Sequence, residues 1–98
     1  MRFRERINYA SIIHRQIEAC RQIRMTNRKL YPTAVHTLYD LAMPYMDEEF
    51  REREREIEQD KSIKPGSYRY WNEIFRALLL LFHRHKLLLK EEEISYDI

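Results

Sequence analysis

The stretch that decides the fold is ALLLLFHRHKLLLKEEE, residues 77–93, in which two leucine runs flank four residues that are basic or titratable. A membrane-spanning helix needs about 20 consecutive apolar residues. The first run, 77–82, has six apolar residues and the second, 87–89, has three, with Arg84 and Lys86 between them. The stretch therefore predicts an amphipathic helix that packs in a protein core, and no membrane partner is expected.

The helical pattern extends beyond this stretch, from about residue 68 to residue 92. Its broad apolar face predicts the core side of the helix and consists of Trp71, Ile74, Phe75, Leu78, Leu81, Phe82, Leu88 and Leu89. The opposite side carries Leu80, Leu87 and Ile94, seven residues apart, where a helix that serves one core would carry polar residues. This second stripe predicts a contact with another helix of the chain or with a second molecule. Its three residues are therefore candidate partner-binding residues.

Composition favours helices joined by few loops over a β-rich fold. The 98 residues include one glycine and three prolines, too few for the many tight turns that a β-rich fold needs. A length of 98 residues predicts a single helical domain, 1–98. Its helices are expected at about 3–27, 33–43, 44–59 and 68–92. The expected fold class is all-α, an elongated three- or four-helix bundle with long helices.

Three residues predict where these helices are interrupted, end or begin. Pro44 lies inside the second helical stretch, where a proline removes an amide and costs about 3 kcal/mol or more, so we expect the second helix to be kinked or broken there. Asn27 is expected to end the first helix in a left-handed conformation. Ser67 follows Pro65 and Gly66 and is expected to cap the last helix through its hydroxyl.

Charge is strongly segregated along the chain. Residues 1–30 hold eight basic and two acidic residues, a net charge of +6, whereas residues 31–63 hold four basic and nine acidic residues, a net charge of −5. A basic helix is typical of phosphate binding. The candidate nucleic-acid-binding residues are Arg4, Arg15, Arg21, Arg28 and Lys29. The competing interpretation is that the basic helix packs beside the acidic block and neutralises it within the fold.

Residues with metal-binding or catalytic chemistry are present but are not spaced as sites. The single Cys20 excludes an intrachain disulfide and a cysteine-based zinc finger, which suits a reducing, cytoplasmic setting. His83 and His85 are two residues apart and would point in different directions on a helix. His36 and Asp40 are four apart, but no HExxH, GxSxG or Walker motif accompanies them. We therefore expect no catalytic residues, metal site, cofactor or small-molecule substrate.

The C-terminal residues 94–98 allow two interpretations. Ile94, Tyr96 and Ile98 alternate with polar residues, the period of a strand that could add to the sheet edge of a partner protein. Such a strand would remove Ile94 from the helical stripe. The alternative is a disordered tail without a role.

These patterns lead to two hypotheses of different classes. The first is a non-enzymatic accessory or adaptor subunit that binds another protein or a second copy of itself, within a complex that handles nucleic acid. The second is a free-standing basic nucleic-acid-binding protein, whose binding would weaken steeply with salt. The charge-rich, glycine-poor composition is compatible with a thermophilic source.

Overall fold

The computed structural model describes residues 3–88 and the side chains of residues 8–88. Over this range the chain is all-helical, without a strand. Its four α-helices are α1 (Phe3–Thr26), α2 (Tyr31–Ala42), α3 (Glu48–Gln59) and α4 (Tyr68–Arg84). Short 3₁₀ turns, Arg28–Leu30 and Met43–Tyr45, join α1 to α2 and follow α2. Within residues 3–88, no helix combines the length and the hydropathy that a membrane crossing requires.

The helices pack through the apolar faces that their sequences carry. α2 lies against both α1 and α4, and α4 lies against both α2 and α3. In α1 the apolar residues that recur at steps of three or four form the core face, where Ile13, Ile17 and Cys20 are fully buried. The predicted core face of α4 is confirmed over its described length, where Phe75 and Leu78 are among the fully buried residues. Because α4 has a helix on two sides, its buried surface is wider than that of a helix at the edge of a fold.

The start of α4 agrees with the sequence, whereas the end of α1 does not. The Ser67 hydroxyl accepts a hydrogen bond from the amide of Tyr70 at 3.1 Å, so Ser67 is the predicted cap. Asn27 has a φ of −153°, so the expectation of a left-handed residue there is wrong. The chain instead continues through the 3₁₀ turn directly into α2, and the carbonyl of Asn27 accepts from the amide of Leu30 at 3.1 Å.

The second helical stretch is interrupted around Pro44, but α3 does not begin there. α2 ends at Ala42, Pro44 lies in the following 3₁₀ turn, and α3 begins at Glu48. The cap of α3 is Asp47, whose Oδ1 accepts from the amide of Phe50 at 2.8 Å. The predicted boundary at residue 44 is therefore wrong by four residues. An aspartate just before a helix is favourable because its carboxylate accepts hydrogen bonds from the free amides of the first turn. Pro44 has no side chain that can do this.

The last described helix is shorter than expected. α4 ends at Arg84, not at residue 92. Two hydrogen bonds from the residues that follow it cap the carbonyls of its last turn. The amide of Leu87 donates to the carbonyl of Phe82 at 2.9 Å, and the amide of Lys86 donates to that of His83 at 3.0 Å. This is the Schellman arrangement, with Lys86 left-handed at a φ of 57°. The 17 residues of α4 span on the order of 26 Å, whereas the predicted range 68–92 would span roughly 37 Å.

Candidate functional site

An open groove between α3 and α4 contains the exposed member of the predicted apolar stripe. Leu80 is 41% exposed and lies in this groove, which has a volume of about 280 Å³. The buried side chains of Phe50 and Ala77 also line it. We call this feature the Leu80 groove. It has an apolar floor within a charged rim, the arrangement that protein interfaces use.

Ion pairs hold much of the rim of the Leu80 groove in place. Arg53 of α3 pairs with Glu73 of α4 at 2.9 Å and with Glu56 at 3.2 Å. Glu52 and Arg76 also line the groove region, and neither forms an ion pair with any residue in the described part of the chain. The rim therefore combines fixed charges with two that are available to a partner.

The other two residues of the predicted stripe do not extend the Leu80 groove. Leu87 is 1% exposed and belongs to the core of this chain. The expectation that it lines a free seam with Leu80 is wrong, because the left-handed turn at Lys86 folds Leu87 back over the end of α4. Ile94 lies outside the described residues, as do the proposed docking residues Tyr96 and Ile98.

A cluster of charged residues joins the start of α3 to the end of α4. Arg84 donates from Nε and Nη2 to the two carboxylate oxygens of Asp47 at 3.0 and 2.9 Å, and His85 Nε2 lies 3.1 Å from Asp47 Oδ2. A second contact of Arg84 reaches Glu49 at 2.7 Å. Hydrogen bonds from Arg84, together with those from the Phe50 amide and His85, hold the pKa of Asp47 well below its ordinary value. We call Asp47, Glu49, Arg84 and His85 the Asp47 cluster. The cluster places the start of α3 beside the end of α4. The two helices therefore run antiparallel.

A second polar network ties α3 to α2. The Tyr39 hydroxyl donates to Glu54 Oε2 at 2.7 Å, and Arg51 donates to the same hydroxyl at 2.8 Å. Burial, followed by the hydrogen bond to Glu54, raises the pKa of Tyr39. The Arg51 guanidinium also reaches Glu54 at 3.1 Å. Through this network and the Asp47 cluster, α3 is held on two sides, which fixes the helix that forms one wall of the Leu80 groove.

The predicted nucleic-acid-binding residues do not form one surface. Arg28 and Lys29 are exposed neighbours in the turn after α1, whereas Arg15 lies 13 residues from Arg28, roughly 20 Å along the helix. Arg21 pairs with Glu18 at 3.0 Å. Arg4 lies in α1, but its side chain is outside the described set. The structure therefore brings together two of the five residues.

The acidic helix α3 directs its ion pairs away from α1. Its described pairs run within α3 and to α4, of which Arg53–Glu73 is an example. α1 instead packs against α2, whose one acidic residue, Asp40, faces His36 at 3.5 Å. The acidic block comprises residues 31–63, so α1 does pack beside its first helix, α2. Neutralisation of the basic helix by this block stays a prediction. In the described part of the chain, no three His, Cys, Asp or Glu side chains gather as a metal site.

A second open pocket lies at the other end of α3, where the loop 60–67 leads into α4. Its volume is about 480 Å³, and the side chains of Ile57, Glu58, Ile63, Tyr70 and Trp71 line it. We call it the Trp71 pocket. Sequence reasoning placed Trp71 on the core face and missed this pocket. Its two aromatic residues are neighbours in the sequence, but the carboxylate of Glu58 comes from another helix, more than ten positions earlier.

Comparison with protein-family models, with curated proteins and with solved structures gave no match.

Proposed function

We propose that the chain is a non-enzymatic helical accessory subunit that binds another protein through the Leu80 groove. The observation that supports this most is the exposure of Leu80 inside a groove whose walls are held by ion pairs between α3 and α4. A concave surface that is already formed in the free chain loses little conformational freedom on binding, which favours affinity. The partner we infer is a protein helix that inserts an apolar side chain between the charged walls.

Leu80 alone cannot account for stable binding. Complete burial of a leucine side chain contributes about 1.5–3 kcal/mol, so covering the exposed 41% of Leu80 contributes roughly 1 kcal/mol. A dissociation constant of 1 μM requires about 8 kcal/mol. The interface must therefore extend to the rim, where Glu52 and Arg76 offer charges of opposite sign to a partner.

The experiment that tests this proposal compares three forms of the tagged chain, namely wild type, Leu80→Glu and Met43→Glu. Met43 is 50% exposed and does not line the groove, so its replacement is the matched control. Each form is examined by light scattering and by affinity purification from native cells. We expect a protein, or a second copy of the chain, that the wild type and Met43→Glu retain and Leu80→Glu loses. Identical behaviour of all three folded forms would refute the proposal.

Nucleic-acid binding is the second candidate function, favoured by one specific observation. Residues 19–39 contain four basic residues and no acidic residue, and the exposed pair Arg28 and Lys29 lies at the centre of this segment. Two phosphate contacts would give a slope of about −1.8 in a plot of log binding constant against log salt. Duplex binding that Arg28→Ala/Lys29→Ala removes and Leu80→Glu retains would favour this function over the first.

The compartment we propose is reducing and cytoplasmic. The support is the single cysteine, whose thiol is fully buried against the carbonyl of Ala34 at 3.3 Å and has no second cysteine to pair with.

A further inference from the structure

The Trp71 pocket combines two aromatic walls with one carboxylate. The rings of Tyr70 and Trp71 lie edge to face, with centroids 5.1 Å apart and planes at 87°. Ile57, Ile63 and Pro65 provide the apolar part of the lining. The volume of about 480 Å³ lies within the range of pockets that hold organic groups. Aromatic faces beside a carboxylate are the surroundings that an organic cation prefers.

The electrostatic environment of the Trp71 pocket is negative. Glu58 is exposed and forms no ion pair with the residues that the structure describes. Among the lining residues it is the one with a formal charge at neutral pH. Burial raises the pKa of the Tyr70 hydroxyl, and the carboxylates of Glu58 and Glu54 raise it further. The carboxylates therefore act on the aromatic wall itself. Glu54 is paired with Arg51 at 3.1 Å, so Glu58 is the carboxylate that an incoming cation would bind.

The same helix already contacts guanidinium groups through its aromatic side chains. The Arg28 guanidinium carbon lies 4.3 Å from the centre of the Tyr68 ring, and that of Arg24 lies 5.8 Å from the centre of the Phe75 ring. These intramolecular contacts occupy two aromatic residues of α4. Trp71, the best type of side chain for such a contact, lines the open pocket and has no such contact with a cation of residues 8–88.

We propose that the Trp71 pocket receives an arginine side chain of a protein partner, with its guanidinium stacked on Trp71 and hydrogen-bonded to Glu58. Arginine suits the pocket better than lysine, because its planar group stacks on an aromatic face, is weakly hydrated and can bind a carboxylate through two hydrogen bonds. This inference rests on the proposed function. It assigns to the partner a basic residue as a second point of contact, in addition to the apolar side chain that inserts into the Leu80 groove.

The test uses small probes and the full chain, so it needs no identified partner. N-acetyl-arginine amide is titrated into the protein while the fluorescence of Trp71, the single tryptophan, is recorded. N-acetyl-citrulline amide, which has nearly the same shape without the charge, is the matched ligand. Glu58→Gln tests the carboxylate, and Glu52→Gln on the same helix is the control, because Glu52 lines the Leu80 groove and not this pocket. Both positions are exposed, so both variants should fold.

We expect the arginine probe to bind saturably and at least about tenfold more tightly than the citrulline probe. Glu58→Gln should remove this preference and Glu52→Gln should keep it. Equal binding of the two probes, no saturable binding, or an unchanged preference in Glu58→Gln would overturn the proposal. Failure here would leave the Leu80 groove untouched, since that proposal is judged by Leu80→Glu. If Leu80→Glu refutes the groove proposal, the binding of the arginine probe can still be measured.

Discussion

Arg84, the last residue of α4, binds both carboxylate oxygens of Asp47, the residue that caps α3, at 3.0 and 2.9 Å. The two residues are 37 positions apart in the chain. Asp47 therefore combines two roles, because the same carboxylate accepts from the first turn of α3 and from the guanidinium at the end of α4. Loss of this carboxylate should weaken a helix end and a tertiary contact together.

Replacement of Asp47 by alanine should lower the free energy of unfolding by about 2–3 kcal/mol, the sum of a lost cap and a lost charge-assisted hydrogen bond. Ser67→Ala is the matched control, since it removes a cap without a tertiary ion pair, and should cost about 1 kcal/mol. Urea unfolding of both variants measures the difference. Equal losses in the two variants would show that the contact with Arg84 contributes nothing to stability.

The stability of the protein should fall in acid partly through Asp47. Its pKa is lowered in the folded state from an ordinary value of 3.8, so the unfolded chain binds the proton more readily and stability rises with pH in this range. The contribution of Asp47 should be fully present above about pH 5 and should disappear as the pH falls towards the folded-state pKa. Unfolding measured between pH 6 and pH 2, in steps of about one unit, checks this. Asp47→Asn should flatten the profile, whereas Asp40→Asn, at a carboxylate that is 66% exposed, should leave most of the slope.

Leu80 and Leu87 should respond differently to truncation although the sequence gives them the same spacing. Leu87→Ala should destabilise the protein by about 2–5 kcal/mol, because Leu87 is buried in the core. Leu80→Ala should cost less than about 1 kcal/mol, because the side chain is half exposed. Thermal melts of the two variants decide the point. A large loss for Leu80 with a small one for Leu87 would reverse our assignment of the two residues.

Glycine in place of Lys86 should stabilise the protein. A left-handed conformation costs a residue with a side chain about 1–2 kcal/mol, whereas glycine adopts it freely but loses about 0.5–1 kcal/mol more entropy on folding. The net gain expected for Lys86→Gly is therefore up to about 1 kcal/mol, measured by urea unfolding. Lys86→Ala keeps the strain and serves as the control. A loss of stability in Lys86→Gly would contradict the left-handed turn.

The thiol of Cys20 should react slowly in the folded protein. Burial raises its pKa to about 12, despite the opposing effects of Gln16, Arg21 and Arg24. At pH 8 the thiol therefore remains protonated, and the thiolate is the reactive form. In a Met25→Cys variant the new thiol is highly exposed, so one group should react with iodoacetamide at once and one only on unfolding. Rapid reaction of two groups in the folded variant would contradict this.

Features set by neighbouring residues were predictable from sequence, and those set by distant residues were not. The apolar faces of α1 and α4 follow from local spacing, and the cap at Ser67 follows from a turn and a hydroxyl. The cap of α3 also had a local signal, an aspartate followed by two glutamates. The helix start was instead predicted at Pro44, because proline is also common at the first helical position. The contact between Asp47 and Arg84 depends on how two helices pack, which the spacing within either helix does not encode.

The candidate surface was only partly predictable for the same reason. A continuous helix to residue 92 would have placed Leu80 and Leu87 on one stripe. The helix ends earlier, at a left-handed residue that is lysine and not glycine, so the sequence carried no recognisable stop signal. Leu80 kept its predicted exposure because it precedes that turn. The Trp71 pocket needed the loop geometry as well as the helix pattern.

The order in which the helices touch one another sets the order in which they can separate. The main contacts run from α1 to α2, from α2 to α4 and from α4 to α3. α1 and α3 are at the two ends of this order, so either can detach in a local opening that leaves the other three in place. For α3 this opening also breaks its hydrogen bond with Tyr39 of α2. The amides on the buried faces of α4 are uncovered only after both α2 and α3 have left it. In hydrogen–deuterium exchange, α4 should therefore hold the slowest amides of the molecule, and their rates should report global unfolding.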